Sequence, residues 1–251
     1  IINTCDQGLS QIIVDKSDAA GIPVVAVDVP LIDGKEENIA PAVILDSYLC
    51  GQQTAEWLLN YVEENGGMED PSTTGYLILA METVTSCIPR ADGQYDYFTE
   101  NCPDFPAENI FRVDYGQGSS DSGYNAAAAT ITAHPEIETW YIVSSNDEGA
   151  VGAARYLEEI GLDEKAVCVG IDGYLAADEF KKDSSPVKAS AYLDSGTVAE
   201  VSVTALYENL VNGTEIFGEY KEENQEYGVY PFGSVMVTKD NYEEIMGDAA
   251  N

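Results

Sequence analysis

Short apolar runs alternate along the chain with stretches in which apolar residues recur every three or four positions. The runs are rich in β-branched residues and almost continuously apolar, which is typical of strands covered on both faces. The predicted strands are Val24–Asp28, Gly75–Ala80, Ile110–Val113, Trp140–Ser144, Val167–Ile171, Ala189–Leu193 and Ser234–Val237. The stretches between them have the period of amphipathic helices. This alternation predicts an α/β fold with parallel sheets and helices on both sheet faces.

Three predicted helices carry a clear apolar stripe. The stripes are Leu9, Ile12 and Ile13, then Val151, Ala154 and Leu157, then Val203, Leu206 and Leu210. Gly161 and Gly213 follow the second and third stripes, and a glycine at positive φ is a common helix stop. No linker rich in Pro, Gly and Ser divides the chain, so if it has two domains we expect them to be interwoven.

Composition narrows the class of protein. The 251 residues are 45% hydrophobic, with 45 Asp and Glu against 11 Lys and Arg and a formal net charge of -34. Such a charge repels phosphate backbones and anionic lipids, so we expect no nucleic-acid partner and interpret the acidic residues as a solvated surface. No apolar run reaches the ~20 residues of a membrane span.

The five cysteines are widely scattered and form no CxxC pair. At least one must be unpaired, and buried thiols are the default interpretation, with a Cys87–Cys102 bridge left open. We expect no metal and no cofactor. His134 is the single histidine, and no nucleophile elbow, zinc motif or phosphate loop is present, so we expect no enzymatic activity.

Polar residues follow several predicted strands at the point where each strand ends. They are Asp28, Ser86 with Arg90, Ser145 with Asn146, and Asp172. In open α/β sheets ligands bind beyond the carboxyl ends of the strands, and this mixture of donors and acceptors suits the hydroxyls of a sugar. The alternative is that each residue is a helix N-cap, and for Asn146 and Asp147 the two interpretations are equally good.

Several segments together resemble a known family. They are Ala20–Asp28, Asp46–Gly51, Arg90–Gly93, His134–Glu136, Asn146–Ala153 and Val169–Gly173. In order and spacing they resemble the type I periplasmic sugar-binding proteins of ABC transporters, whose fold also serves as the effector domain of lactose-repressor-like regulators. The arabinose-binding branch is the most similar, and the match covers essentially the whole chain.

The resemblance implies two interwoven Rossmann-like lobes joined by three crossovers. The amino-terminal lobe would comprise 1–45 and 194–231, and the carboxy-terminal lobe 46–193 and 232–251. A pentose or hexose would be captured in the cleft between lobes and enclosed by hinge closure, and the closed form would dock on an ABC transporter permease. The protein would be a monomer outside the cytoplasm, periplasmic or lipid-anchored on the outer face of the membrane. A sensing module read by a membrane kinase or chemoreceptor is the alternative.

Carried over residue by residue, the family's sugar-binding positions match Asp28, Arg90 and Asn146. Asp172 stands where the arabinose-binding branch has an asparagine and several relatives have an aspartate. Ser86 is placed for a hydroxyl contact.

Leu45 and Ser145 would line the wall of the same site, and the carboxamide of Asn146 would bridge two hydroxyls. Val29 replaces a second aspartate of the arabinose-binding branch, which leaves the anomer preference open. The family also has strand-helix units before the point at which Ile1 and Ile2 begin this chain with an apolar run. We therefore expect the amino-terminal lobe to be incomplete.

Overall fold

The computed structural model describes residues 1–4, 6–68 and 70–250, so Cys5 lies outside the described residues. The helices are α1 Ser10–Ala20, α2 Ser47–Glu64, α3 Ile88–Asn101, α4 Ser120–Ala133, α5 Asp147–Ile160, α6 Tyr174–Phe180, α7 Ser195–Asn212 and α8 Tyr242–Met246. The strands are β1 Ala26–Val27, β2 Ala42–Leu45, β3 Thr74–Ala80, β4 Ile110–Asp114, β5 Thr139–Ser144, β6 Ala166–Asp172, β7 Val187–Tyr192, β8 Val229–Phe232 and β9 Val235–Thr238. The predicted α/β class with parallel sheets is confirmed.

The chain divides into two compact units, each made of separate segments. Unit 1 comprises Ile1–Asp46 and Asp194–Gly233, and unit 2 comprises Ser47–Leu193 and Ser234–Asn251. The chain therefore passes from one unit to the other three times.

Unit 2 is built on a sheet with the strand order β4-β3-β5-β6-β7-β9 over the described residues. All pairs are parallel except β7 with β9, which is antiparallel. Every residue of β3 is buried. Its side chains alternate between two cores: Leu77 and Leu79 pack with α4 and α5, whereas Tyr76 and Ile78 pack with α2 and α3. Helices on both faces explain why the strands are apolar throughout.

Unit 1 has a smaller sheet, with the order β1-β2-β8 in the described part of the chain. Its pairs are parallel, and Ile2 adds an isolated parallel bridge to Ala26. Helix α7 packs on the face that carries Val25 and Val43, and α1 packs on the face that carries Ala26 and Ala42.

Two strands of unit 1 were not predicted. β2 has only four residues, and β8 contains Pro231, which lacks the N–H of a regular strand. The predicted strand at Ser234–Val237 exists as β9, but it pairs antiparallel at a sheet edge. Cys87 and Cys102 are not joined by a disulfide.

The three predicted apolar stripes differ in their burial. The stripe of α5 is confirmed, because Val151, Ala154 and Leu157 are all buried, and Gly161 ends that helix at positive φ. Of the stripe residues in α7, Leu206 packs on a core, while Val203 is 56% and Leu210 68% exposed.

In the first stripe, Ile13 packs on a core. Leu9 is 45% and Ile12 52% exposed. The helical period was therefore read correctly, but in unit 1 only part of each stripe packs on a core.

Candidate functional site

Three of the predicted site residues meet at the carboxyl edge of the unit 2 sheet. Arg90, in the first turn of α3, is only 5% exposed, and its Nη1 donates a hydrogen bond of 2.8 Å to the Ser145 carbonyl. The same nitrogen lies 3.9 Å from Oδ1 of Asp172. Ser145 follows β5 and Asp172 ends β6, and these strands are neighbours. The buried cation of Arg90 therefore lies beside the partly exposed carboxylate of Asp172, next to the ends of two adjacent strands.

Close packing of α2 against α3 fixes the backbone of Arg90. A Cβ added to Gly51 would lie 2.0 Å from the Arg90 carbonyl oxygen. A Cβ on Gly93 would lie 2.2 Å from the carbonyl oxygen of Tyr48. Because these two positions carry no side chain, the backbones of the two helices can approach this closely. The contact holds the start of α3, and with it Arg90, in place.

Asn146 is the N-cap of α5, and both polar atoms of its side chain bind neighbouring loops. Its Oδ1 accepts hydrogen bonds from the Gly149 N–H at 3.0 Å and from the Tyr115 hydroxyl. Its Nδ2 donates to the Gly118 carbonyl at 3.0 Å. Both lone pairs of the oxygen are in use. In the predicted bridge between two ligand hydroxyls, Asn146 could therefore act only as a donor, through Nδ2.

Asp172 has an unusual backbone conformation. Its φ is 113° and that of the following Gly173 is 91°. A residue other than glycine at such an angle is strained, and strain of this kind is frequent at functional sites. The side chain of Asp172 is 36% exposed, so the carboxylate is reachable from solvent.

The two predicted serines occupy different environments. Ser145 is fully buried, and its Oγ makes no hydrogen bond to the described part of the protein. Ser86 is half-buried in the loop between β3 and α3.

Asp147 was noted in the sequence only as a possible cap, and the structure gives it a larger role. It is 2% exposed. Its Oδ2 accepts the N–H groups of Leu175 and Ala176 at 3.0 Å each, and its Oδ1 accepts the Ser190 hydroxyl at 2.6 Å. Burial raises the pKa of Asp147 to about 6, and the three donors oppose that rise. No local sequence signal indicates these partners, because they lie 28 to 43 residues away.

The remaining predicted residues belong to unit 1. Asp28 follows β1 with a φ of 66°, is half-buried, and its N–H donates to the Val43 carbonyl at 3.0 Å. Leu45 is the last residue of β2 and is buried. Since β1 and β2 are parallel neighbours, both residues lie at the carboxyl edge of the unit 1 sheet.

The described residues contain no cluster of three or more His, Cys, Asp or Glu side chains suited to a metal ion. Among them, no helix has the length and apolar character needed to cross a bilayer.

The model of the family described as "Periplasmic binding protein domain" matches residues 1–215. The chain belongs to this family. Its members are solute-binding proteins and not enzymes, which agrees with the absence of catalytic motifs from the sequence.

Among relatives of this periplasmic binding protein, the L-arabinose-binding periplasmic protein of Escherichia coli K12 is 23% identical over 258 residues, covering 97% of this chain and 71% of the relative. The ABC transporter L-arabinose-binding periplasmic protein of Azospirillum brasilense is 27% identical over 152 residues, covering 59% of this chain and 44% of the relative.

Two solved structures have similar folds. The myo-inositol binding protein of Caulobacter has a TM-score of 0.74 at 18% identity, covering 96% of this chain and 75% of that structure. A periplasmic solute binding protein of an ABC transporter from Actinobacillus succinogenes, with bound D-allose, has a TM-score of 0.69 at 23% identity, covering 92% and 74%. The predicted fold family is therefore confirmed.

Proposed function

We propose that this periplasmic binding protein captures a monosaccharide and delivers it to an ABC transporter permease. The observation that carries the proposal is the meeting of Arg90, Ser145 and Asp172 at two adjacent strand ends of unit 2, with Asn146 next along the chain. Ligands of open α/β sheets bind at this edge.

The chemistry of these side chains suits neighbouring hydroxyl groups. A sugar hydroxyl donates one hydrogen bond and accepts others, so it can donate to the Asp172 carboxylate while accepting from the Arg90 guanidinium. Hydrogen bonds to charged groups are about twice as strong as those between neutral groups. Ser86 would add a hydroxyl contact, and Ser145 would form part of the wall.

We propose that the two units are the two lobes predicted from the sequence, with boundaries near 1–45 with 194–231 and 46–193 with 232–251. Asp28 and Leu45 would be the contributions of unit 1 to ligand binding. Asp28 supports this role because, like Asp172, it lies at the carboxyl end of a strand with positive φ.

The names of the relatives and similar structures indicate which ligands to test. They include L-arabinose, D-allose, D-fucose, β-D-glucose and myo-inositol. We expect isothermal titration calorimetry of the full chain to detect one-to-one binding of at least one of these compounds. Absence of heat with every aldopentose and aldohexose, and with myo-inositol, would contradict the proposal.

Replacing Arg90 by alanine tests the site directly. We expect Arg90→Ala to weaken binding of the best ligand of this panel by about 1.5–3 kcal/mol, because a buried hydroxyl pair loses its charged donor. Arg112→Ala is the matched control, since Arg112 pairs with Glu82 and Asp92 at 2.6 Å each and is not in the proposed site. Equal affinities of the two variants would remove Arg90 from the site.

The proposal also covers where the protein works and the permease to which it delivers the ligand. We propose that the protein works outside the cytoplasm as a monomer, in the periplasm or held by a lipid anchor on the outer face of the membrane. Sugar uptake by vesicles containing the cognate permease, measured with and without the purified protein, tests delivery. Signalling through a membrane kinase without any uptake would support the sensing alternative instead.

A further inference from the structure

The buried carboxyl of Asp147 is not among the side chains proposed to contact the ligand. It is the first residue of α5, but its side chain does not cap that helix, because Asn146 does. The carboxylate instead reaches two other elements: the start of α6, through Leu175 and Ala176, and strand β7, through Ser190.

Strand β6 also leaves space for the carboxyl of Asp147. Gly170 lies in β6, and a Cβ at this position would come within 2.3 Å of Oδ1 of Asp147. The absence of a side chain at Gly170 is thus what gives the carboxyl its place. Asp147, Gly170 and Ser190 belong to three neighbouring segments at one edge of the sheet.

The turn that Asp147 holds is the one that carries Asp172. Asp172 and Gly173 both have positive φ, and such a turn persists only when its surroundings restrain it. The two N–H groups bound by Asp147 come two and three residues after Gly173. These two hydrogen bonds connect the residues after the turn to the start of α5.

The other end of the same short segment holds Arg90. The Ser145 carbonyl accepts from Arg90, and Ser145 is separated from Asp147 by one residue. The segment from Ser145 to Asp147 therefore binds Arg90 on one side and the Asp172 turn on the other. The two charged groups on either side of it approach to 3.9 Å, between Nη1 of Arg90 and Oδ1 of Asp172.

We propose that Asp147 is a positioning residue of the ligand site, which holds the Asp172 turn at the correct distance from Arg90 without itself touching the ligand. This inference rests on the proposed function, since it concerns the affinity of the same site.

The test compares Asp147→Asn and Ser190→Ala with the wild-type chain by calorimetry, using the sugar or inositol of the panel that the wild type binds most tightly. We expect Asp147→Asn to weaken binding about 10-fold and Ser190→Ala about 3-fold, with unchanged stoichiometry. Loss of folded protein alone would lower the stoichiometry and leave the affinity of the remaining molecules unchanged.

Ser185→Ala is the matched control. Its hydroxyl donates to the buried carboxylate of Glu179 at 2.8 Å, just as Ser190 donates to Asp147, but it precedes β7 at the opposite, amino edge of the sheet. We expect it to leave the affinity unchanged. If Asp147→Asn does not fold, the pair Ser190→Ala and Ser185→Ala decides, and equal affinities for these two variants would overturn the proposal.

A double-mutant cycle with Asp172→Asn separates positioning from a general loss of stability. If Asp147 acts through Asp172, we expect its replacement to cost less than about 3-fold in affinity once Asp172 is already changed. Equal effects of Asp147→Asn in both backgrounds would overturn the inference and leave the proposed function intact. Failure of the wild-type chain to bind any panel compound would instead overturn the proposed function, and the inference with it.

Discussion

Unit 1 and unit 2 share the same alternation of strands and helices, yet they bury their apolar residues very differently. In unit 2 every residue of β3 is buried, and Leu157 of α5 is inaccessible to solvent. In unit 1 four large apolar residues of α7 remain more than half exposed, namely Val203, Tyr207, Leu210 and Val211. An apolar stripe therefore indicates a helix, but burial depends on whether a second layer packs on that side.

The strand ends of the two units differ in a related way. Asp28 directly follows a strand, Asp172 ends one, and both have positive φ. In unit 2, side chains from other elements surround this position: Arg90 lies beside the carboxylate, and Asp147 binds the residues after the turn. In unit 1 the N–H of Asp28 donates to the Val43 carbonyl within the sheet. The turn at Asp172 is thus linked by side chains to α3 and α5.

The largest expected effect concerns the two cores. We expect Leu157→Ala to lower the free energy of unfolding by about 2–5 kcal/mol, because it opens a cavity in a close-packed core. Leu210→Ala in α7 should change it by less than about 0.5 kcal/mol, since that side chain is 68% exposed. Urea unfolding followed by circular dichroism measures both, and a similar loss in the two variants would break the comparison.

The pH dependence of the free energy of unfolding tests the burial of Asp147 in unit 2. Burial raises the pKa of Asp147 from 3.8 to about 6. Between these values the folded protein binds more protons than the unfolded chain, so the stabilising contribution of this group is complete below about pH 4 and is lost as the pH rises through 6. The amount is at most about 3 kcal/mol.

Urea unfolding of the wild type and of Asp147→Asn across this pH range measures the contribution. The other acidic groups are common to both proteins, so the difference between the two curves isolates Asp147. We expect the stability of the wild type to fall relative to that of the variant as the pH rises. Parallel curves would show that Asp147 titrates normally.

A smaller effect on the free energy of unfolding is expected from adding one methyl group beside Asp147. Gly170→Ala forces a Cβ against the buried carboxyl of Asp147, and we expect it to lower the free energy of unfolding by about 1–3 kcal/mol. Gly34→Ala in unit 1 is the control, because a Cβ there has no atom within 4 Å and its φ is not positive. We expect a change of less than about 0.5 kcal/mol for Gly34→Ala. Thermal unfolding of both variants checks the pair.

Much of the candidate site was accessible from local sequence patterns. Arg90, Asn146 and Asp172 were predicted because polar residues after apolar runs are visible in the sequence, and parallel strands bring their carboxyl ends to one edge. The role of Asp147 was not accessible. Its partners Leu175, Ala176 and Ser190 lie on elements that only the sheet order brings together.

The sequence by itself determined the α/β class, most of the strands and the residue types at their carboxyl ends, because apolar periodicity and strand ends are local properties of the chain. The tertiary structure decided which stripes are buried, which polar residue caps α5, and that β9 runs antiparallel at its edge. These outcomes depend on contacts between segments far apart in sequence. A period of 3.6 or 2 residues carries no information about such partners.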